Sequence, residues 1–127
     1  MPSFGTDAIS ALQSAMRFRQ DRESILAANI ANADTPGYRR RDLSFDGVLD
    51  ATQQRLDRTH SGHLAAPGSE ARNARVELGP RGTRPDGNGV DLDQELVQAS
   101  RNAGAFIDQA NVLARVSMLI RTAIGQQ

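Results

Sequence analysis

The stretch Leu26-Ala-Ala-Asn-Ile-Ala-Asn-Ala-Asp-Thr-Pro-Gly-Tyr-Arg-Arg-Arg-Asp-Leu-Ser-Phe45 decides how this chain is built. Leu26 and Ile30 stand four residues apart, so both fall on one helix face. The second half cannot continue that helix. Pro36 biases Thr35 towards an extended backbone, and Pro36-Gly37 is the pair a type II turn takes at its central positions. Asn32 is expected to end the helix as a left-handed C-cap, with Asp34 and Thr35 satisfying loop amides through their side chains. Beyond the turn, Leu43 and Phe45 alternate with polar neighbours, as in a short extended segment.

Upstream of the turn, the pattern predicts a helix over residues 7–32, with Ser3, Thr6 and Asp7 as candidate N-caps. Ile9, Leu12, Met16, Leu26 and Ile30 form one stripe, and Ala8, Ala11, Ala15, Phe18 and Ile25 a second beside it. Both are interrupted by a charged waist at Arg19, Arg22 and Glu23. That waist is either a solvated gap or an ion-pair cluster that sets register.

A second helix is predicted over 91–124. Asp91 followed by Gln94 makes a capping-box pattern, and Asp93 and Glu95 favour the first turn. Leu92, Leu96, Ala99, Ala103, Phe106, Ala110, Leu113, Ser117, Ile120 and Ile124 repeat at heptad spacing until Gly125. Such a helix is roughly 50 Å long at 1.5 Å per residue. Val112, Val116, Leu119 and Ala123 form another stripe beside the first, widened by Ile107 and Met118. One helix pair buries one seam, so a lone two-helix hairpin would leave several of these side chains in water, each worth ~1.5–3 kcal/mol if buried. Both ends of the chain are therefore expected to pack against other subunits.

Residues 50–89 differ in kind. Large aliphatic residues are sparse, and Gly79-Pro-Arg-Gly-Thr-Arg-Pro-Asp-Gly-Asn-Gly89 is loop chemistry throughout. Val48 to Leu56 suggests a short helix and Arg75-Val-Glu-Leu78 a strand, but the span reads as a flexible middle segment. The expected architecture is one all-α domain over 1–127. Two long terminal helices pair as an antiparallel coiled coil, joined by a turn and extended segment (33–49) and the polar, largely irregular middle.

Composition bounds the function. Hydrophobic residues make up 39% and aromatics 4%, too little for a large self-contained core. Fifteen basic residues, all Arg, cancel fifteen acidic ones, which argues against general binding to nucleic acid or anionic membranes. There is no cysteine, so no disulfide or thiolate chemistry. No apolar run approaches the ~20 residues of a membrane span, and no cleavable secretion signal is visible.

The wording of the turn is more specific than its geometry. Asn29-Ile-Ala-Asn-Ala-Asp-Thr-Pro-Gly-Tyr38, placed after an N-terminal helix, resembles the signature of bacterial flagellar axial proteins, the rod, hook and hook-associated subunits. Arg41-Asp-Leu-Ser-Phe45 is similar to its continuation in a short proximal rod member, and Asn88-Gly-Val-Asp-Leu-Asp-Gln-Glu-Leu96 to the family's approach to the C-terminal helix. The resemblance implies a structural subunit of the proximal rod, in which paired terminal helices line a hollow tube. It marks Asn29, Ile30, Ala31, Asn32, Asp34, Thr35, Pro36, Gly37, Tyr38, Asp42 and Phe45 as the signature turn. It likewise marks Ile9, Leu12, Met16, Leu26, Leu96, Phe106, Val112, Leu113, Val116, Leu119, Ile120 and Ile124 as assembly positions. The implied partners are further copies of the chain, other rod proteins, the ring-to-rod adaptor FliE and the flagellar type III export apparatus. The implied place is the periplasmic rod of the basal body, reached without a cleaved signal peptide. At Phe106 many relatives carry Tyr, whose hydroxyl is missing here.

Catalytic chemistry finds no footing. His60 and His63 sit in a Gly-containing polar stretch, and two ligands do not make a closed zinc site. Arg39-Arg40-Arg41 has Asp34, Asp42, Asp46 and Asp50 near in sequence and no aromatic platform, which favours intersubunit ion pairs or a solvated turn over nucleic acid. The glycines of 79–89 lack the Lys-Ser/Thr of a phosphate loop. No catalytic residue, cofactor or metal site is therefore expected. The rival readings are a short rod protein of the FlgC kind, against which the ungapped turn speaks, and a small soluble coiled-coil adaptor or export chaperone. A histidine-based metal enzyme is a third.

Overall fold

The computed structural model of the chain describes residues 4–44 and 74–125. Helix α1 spans Phe4–Ala31 and helix α2 spans Leu92–Ile124. Between them β1 (Arg41–Ser44) and β2 (Arg75–Leu78) pair antiparallel, with Arg41 opposite Leu78 and Leu43 opposite Val76. The described residues are thus mostly helical with a small two-stranded sheet, which an all-α description leaves out. Phe45, the suggested helix from Val48 to Leu56, and both histidines lie outside the described residues.

α1 begins ahead of the expected residue 7, so Thr6 and Asp7 lie inside it. It has no proline or glycine between Thr6 and Ala31 to interrupt it. Asp91 caps α2 as its sequence predicts: its backbone is extended and its Oδ1 accepts the Gln94 N–H at 3.2 Å. Gly125 closes the other end in a right-handed conformation, its N–H donated to Arg121 O.

Contacts between the helices pair residues whose numbers run in opposite senses, Asn29 with Glu95, Arg22 with Gln98 and Arg19 with Asn102. The helices therefore run antiparallel. On α2 Glu95 and Asn102 are buried, and Ala99, Phe106, Gln109, Ala110, Leu113, Val116, Ser117 and Ile120 are among the half-buried positions. On α1 Phe18, Leu26 and Asn29 are buried, and Leu12, Ala15, Arg19 and Arg22 are among the half-buried positions. Two positions of the seam expected on α2 are thus displaced by one residue. Ala99, Phe106, Ala110, Leu113, Ser117 and Ile120 are covered as expected, but Glu95 and Asn102 take the places assigned to Leu96 and Ala103. Leu92 and Leu96 are instead 46% and 51% exposed.

Fully covered apolar side chains are few: Phe18, Leu26, Ala33, Leu43 and Val90 among the described residues. Four polar ones, Asn29, Asn88, Glu95 and Asn102, are buried as deeply. A core with so little hydrocarbon is held by directed bonds, and these converge on the turn.

Candidate functional site

The signature turn closes as its dipeptide dictates. Tyr38 N–H donates to Thr35 O at 3.2 Å across Pro36-Gly37, and Gly37 takes φ +71°, the left-handed value required at the third position of a type II turn. Asn32 is not left-handed, contrary to expectation, because glycines alone hold positive φ among the described residues. Its side chain ends α1 instead: Nδ2 donates to Ala28 O at 2.7 Å, while Oδ1 accepts the Thr35 hydroxyl at 3.1 Å. Asp34 is exposed.

Beneath the turn lies Asn29, with no exposed surface. Its Nδ2 donates to Arg41 O at 2.6 Å and to Glu95 Oε2 at 2.9 Å. Its Oδ1 accepts from Arg41 N–H at 3.0 Å and from the Tyr38 hydroxyl at 3.3 Å. A primary amide offers two donors and two acceptor positions, so this one is fully used. Only a carboxamide fits here, because it must serve a carbonyl, a carboxylate, an N–H and a hydroxyl at once.

Glu95 is equally buried and passes the connection on. Its Oε1 accepts from Arg40 Nε, and Arg40 Nη2 donates to Asp42 Oδ2 at 3.0 Å. Arg22 grips the same Asp42 in a fork, Nε to Oδ1 at 2.8 Å and Nη2 to Oδ2 at 3.0 Å, and reaches Gln98 Oε1 at 3.4 Å. Two guanidinium groups thus face two carboxylates, a locally neutral cluster joining α1, β1 and α2. Burial is the largest influence on the Asp42 carboxyl and pushes it up, but bonds from Arg22, Arg40 and the Leu43 N–H together hold it below the usual carboxylate range. The Arg22 guanidinium is raised chiefly by its bond to Asp42, against burial. For Arg40, burial is the strongest influence and lowers it, yet the bonds to Glu95 and Asp42 outweigh it.

Of the charged waist of α1, Arg22 joins an ion-pair cluster, one of the two readings left open by the sequence. Lower down, Asn102 Nδ2 donates to Arg19 O and to Glu23 Oε2, both at 2.8 Å. The arginine run is likewise absorbed within the chain. Arg40 pairs as above, Arg39 donates to Gly79 O at 2.7 Å, and Arg41 lies 6.0 Å over the Tyr38 ring. The ion-pair partners of Arg40 thus lie within the chain.

The loop before α2 completes the layer. Gly37 N–H donates to Asp86 O at 2.8 Å, Gly89 N–H to Tyr38 O at 2.9 Å, and Gly79 N–H to Arg40 O at 2.8 Å. Asn88, 1% exposed, donates its Nδ2 to Asn32 O at 2.9 Å and Thr35 O at 2.7 Å. Residues 74–89, placed by the sequence in a flexible segment, are thus tied down at β2, which pairs with β1, and at Gly79, Arg84, Asp86, Asn88 and Gly89, which bond residues 32–40. Gly82 is essential to that fit: a Cβ there would sit 1.8 Å from Asn88 O.

Among the assembly positions, Leu26 is buried, and Ile9, Leu12, Met16, Phe106, Leu113, Val116 and Ile120 are half-buried. Val112, Leu119 and Ile124 are 47%, 70% and 71% exposed, beside Ile107 and Met118 at 58% and 70%. Among the described residues there is no group of three or more His, Cys, Asp or Glu able to hold a metal, and no helix long and apolar enough to cross a membrane.

Comparison with known proteins decides the family. Residues 9–39, the part of α1 and the turn that carries Asn29, match the family model described as flagella basal body rod protein. The flagellar basal body rod protein FlgB of Escherichia coli (strain K12) is 38% identical over 101 residues, covering 72% of this chain and 73% of that protein. FlgB of Aeromonas hydrophila is 34% identical over 125 residues, 91% of each chain. The chain belongs to the FlgB family. FlgB of Bacillus subtilis (strain 168), at 28% over 102 residues, extends the similarity further. As a FlgB-family member this chain is a structural subunit of the flagellar basal-body rod. Asn88, Gln98 and Asn102 are contributors to its polar layer that apolar periodicity did not mark. Asn88 carried a signal in the turn-rich Asp86-Gly-Asn-Gly89 run.

Proposed function

We propose that the chain polymerises through its terminal helices, paired as an antiparallel coiled coil, to form part of the hollow proximal rod, with the signature turn fixing the angle at which the chain leaves that pair. In this reading residues 1–127 act as one rod-subunit domain. The neighbours are further copies, other rod proteins and the ring-to-rod adaptor FliE. The chain reaches its periplasmic site through the flagellar type III export apparatus, without a cleaved signal peptide.

One observation carries the reading. Asn29, Glu95 and Asn88 find their partners within the chain at the turn, while Met118, Leu119 and Ile124 stand about 70% exposed at the far end of α2. An end fully bonded to itself supplies geometry, and an apolar end left open supplies association. Repeated contacts between two different surfaces of a subunit generate helical tubes. The test is deletion of the gene in its host, followed by electron microscopy of basal bodies and complementation. Cells without the chain should lose rod, hook and filament together, and the wild-type gene should restore all three. A deletion strain that still builds rods and swims would overturn the proposal.

A further inference from the structure

Asn88-Gly89 is the one Asn-Gly step in the sequence. We propose that it is a deamidation site which folding of the turn layer protects, and whose products that layer cannot accept. In an unfolded chain the Gly89 backbone nitrogen attacks Asn88 Cγ. The N–Cγ bond forms, the Cγ–Nδ2 bond breaks, and ammonia leaves with the proton released from the Gly89 amide. Water then opens the five-membered succinimide at either carbonyl, giving aspartate or isoaspartate at 88. Glycine at 89 favours the reaction because it has no Cβ to obstruct attack and the widest backbone freedom.

The folded layer holds both reacting groups away from that course. Gly89 N–H donates to Tyr38 O at 2.9 Å, which stabilises the protonated amide and directs it at a carbonyl instead of at Cγ. The leaving amide is held by Asn32 O and Thr35 O at 2.9 and 2.7 Å. Asn88 is 1% exposed, which also denies water to any ring that formed. One contact acts the other way: Val90 N–H donates to Asn88 Oδ1 at 2.7 Å and polarises Cγ. It cannot act alone while the nucleophile stays engaged elsewhere.

The products fail for two separate reasons. A carboxylate at 88 has no N–H for the Asn32 and Thr35 carbonyls, so two hydrogen bonds become two oxygen–oxygen repulsions in a buried place. Isoaspartate adds a methylene to the backbone where there is no room, since even a Cβ on Gly82 would come within 1.8 Å of Asn88 O and 2.5 Å of Gly89 N. A chain that lingers unfolded therefore loses its ability to dock residues 79–90 on the turn.

The full-length chain is held at mildly alkaline pH in buffer and in urea, and conversion at Asn88 is followed by peptide mapping and mass spectrometry. Conversion in urea should be at least about tenfold faster than in buffer, and slowed about tenfold in urea by Gly89→Ala. Asn111, exposed but followed by Val112, should stay intact in both. Chain converted in urea and returned to buffer should lack the hydrogen-exchange protection that the Gly37 and Gly89 amides show in unconverted chain. Equal rates in buffer and urea overturn the protection, indifference to Gly89→Ala overturns the chemistry, and full recovery of protection by converted chain overturns the exclusion.

Discussion

Asn29 of the first helix donates a 2.9 Å hydrogen bond to Glu95 of the second, 66 positions away, and neither side chain reaches solvent. Removing the amide strands four partners together. Asn29→Ala leaves a carbonyl, an N–H, a carboxylate oxygen and a hydroxyl to find water in a closed space. It is expected to cost about 3 kcal/mol, two or three times a typical buried hydrogen bond. Urea titration followed by circular dichroism measures this, and a loss below about 1 kcal/mol would show the layer to be dispensable.

Glu95 and Arg40 form a pair that is costly to break and cheap to replace. Glu95→Leu leaves Arg40 with Asp42 as its remaining carboxylate and takes an acceptor from the Asn29 amide, at about 2–3 kcal/mol. Adding Arg40→Met removes the charge left with one partner, so the double variant should regain part of that loss. A coupling of about 1–3 kcal/mol in the double-mutant cycle is expected. Additive effects would mean that the pair acts only as filler.

These same residues mark the limit of what the sequence discloses. The turn was legible because Pro36-Gly37 fixes its own geometry, and so was the cap at Asp91, since both are local. Ala99, Phe106, Leu113 and Ile120 were legible because they are apolar and sit on the seam. Glu95 and Asn102 were not, because a pattern of hydrophobicity assigns polar residues to solvent and so marked Leu96 and Ala103 in their place. Arg40 was legible only as an intersubunit charge or part of a solvated turn, since nothing local reveals a partner 55 positions away. The docking of residues 79–90 was hard to read for another reason: apart from Asn88 and Arg84 it is made by backbone N–H and C=O groups, which every sequence has.

Acid should weaken the cluster in a narrow window. The Asp42 carboxyl is held below its unfolded value, so its contribution is complete above the unfolded pKa, about 3.9, and disappears as pH falls through the lower folded value. The Arg22 and Arg40 shifts are upward, so their contribution is complete through the neutral range and would fade only in strong alkali, above the unfolded arginine value. Asp42 should therefore add no pH dependence to the melting temperature between about pH 5 and 8, and a fall below about pH 4. Asp42→Asn should flatten that acid limb. An unchanged limb in the variant would assign the acid sensitivity elsewhere.

Two glycines test conformation against space. Gly37 has a left-handed backbone but open surroundings, so Gly37→Ala meets only the conformational penalty, about 1 kcal/mol. At Gly82 an added methyl would collide with the Asn88–Gly89 backbone, and two backbones must separate to admit it. Gly82→Ala should release the loop from the turn, removing hydrogen-exchange protection at Gly37 and Gly89 while most of α1 and α2 stays helical. Equal effects at the two positions would contradict the close approach at Gly82.

The far end of α2 separates folding from assembly. Leu119 is 70% exposed in the single chain, so Leu119→Asp removes little intramolecular packing and should change its stability by no more than about 0.5 kcal/mol. Within a wall of subunits the same change would place an unpaired carboxylate against hydrocarbon, at several kcal/mol for each contact. A rod repeats that contact at every subunit, so a cost tolerable once becomes prohibitive along the shaft. The variant should therefore match the wild type in circular dichroism and urea midpoint, yet fail to restore rods or swimming to a deletion strain. Leu119→Met, which keeps the apolar surface, should restore both. Rods built from Leu119→Asp chains would mean that assembly proceeds through some other face of the molecule.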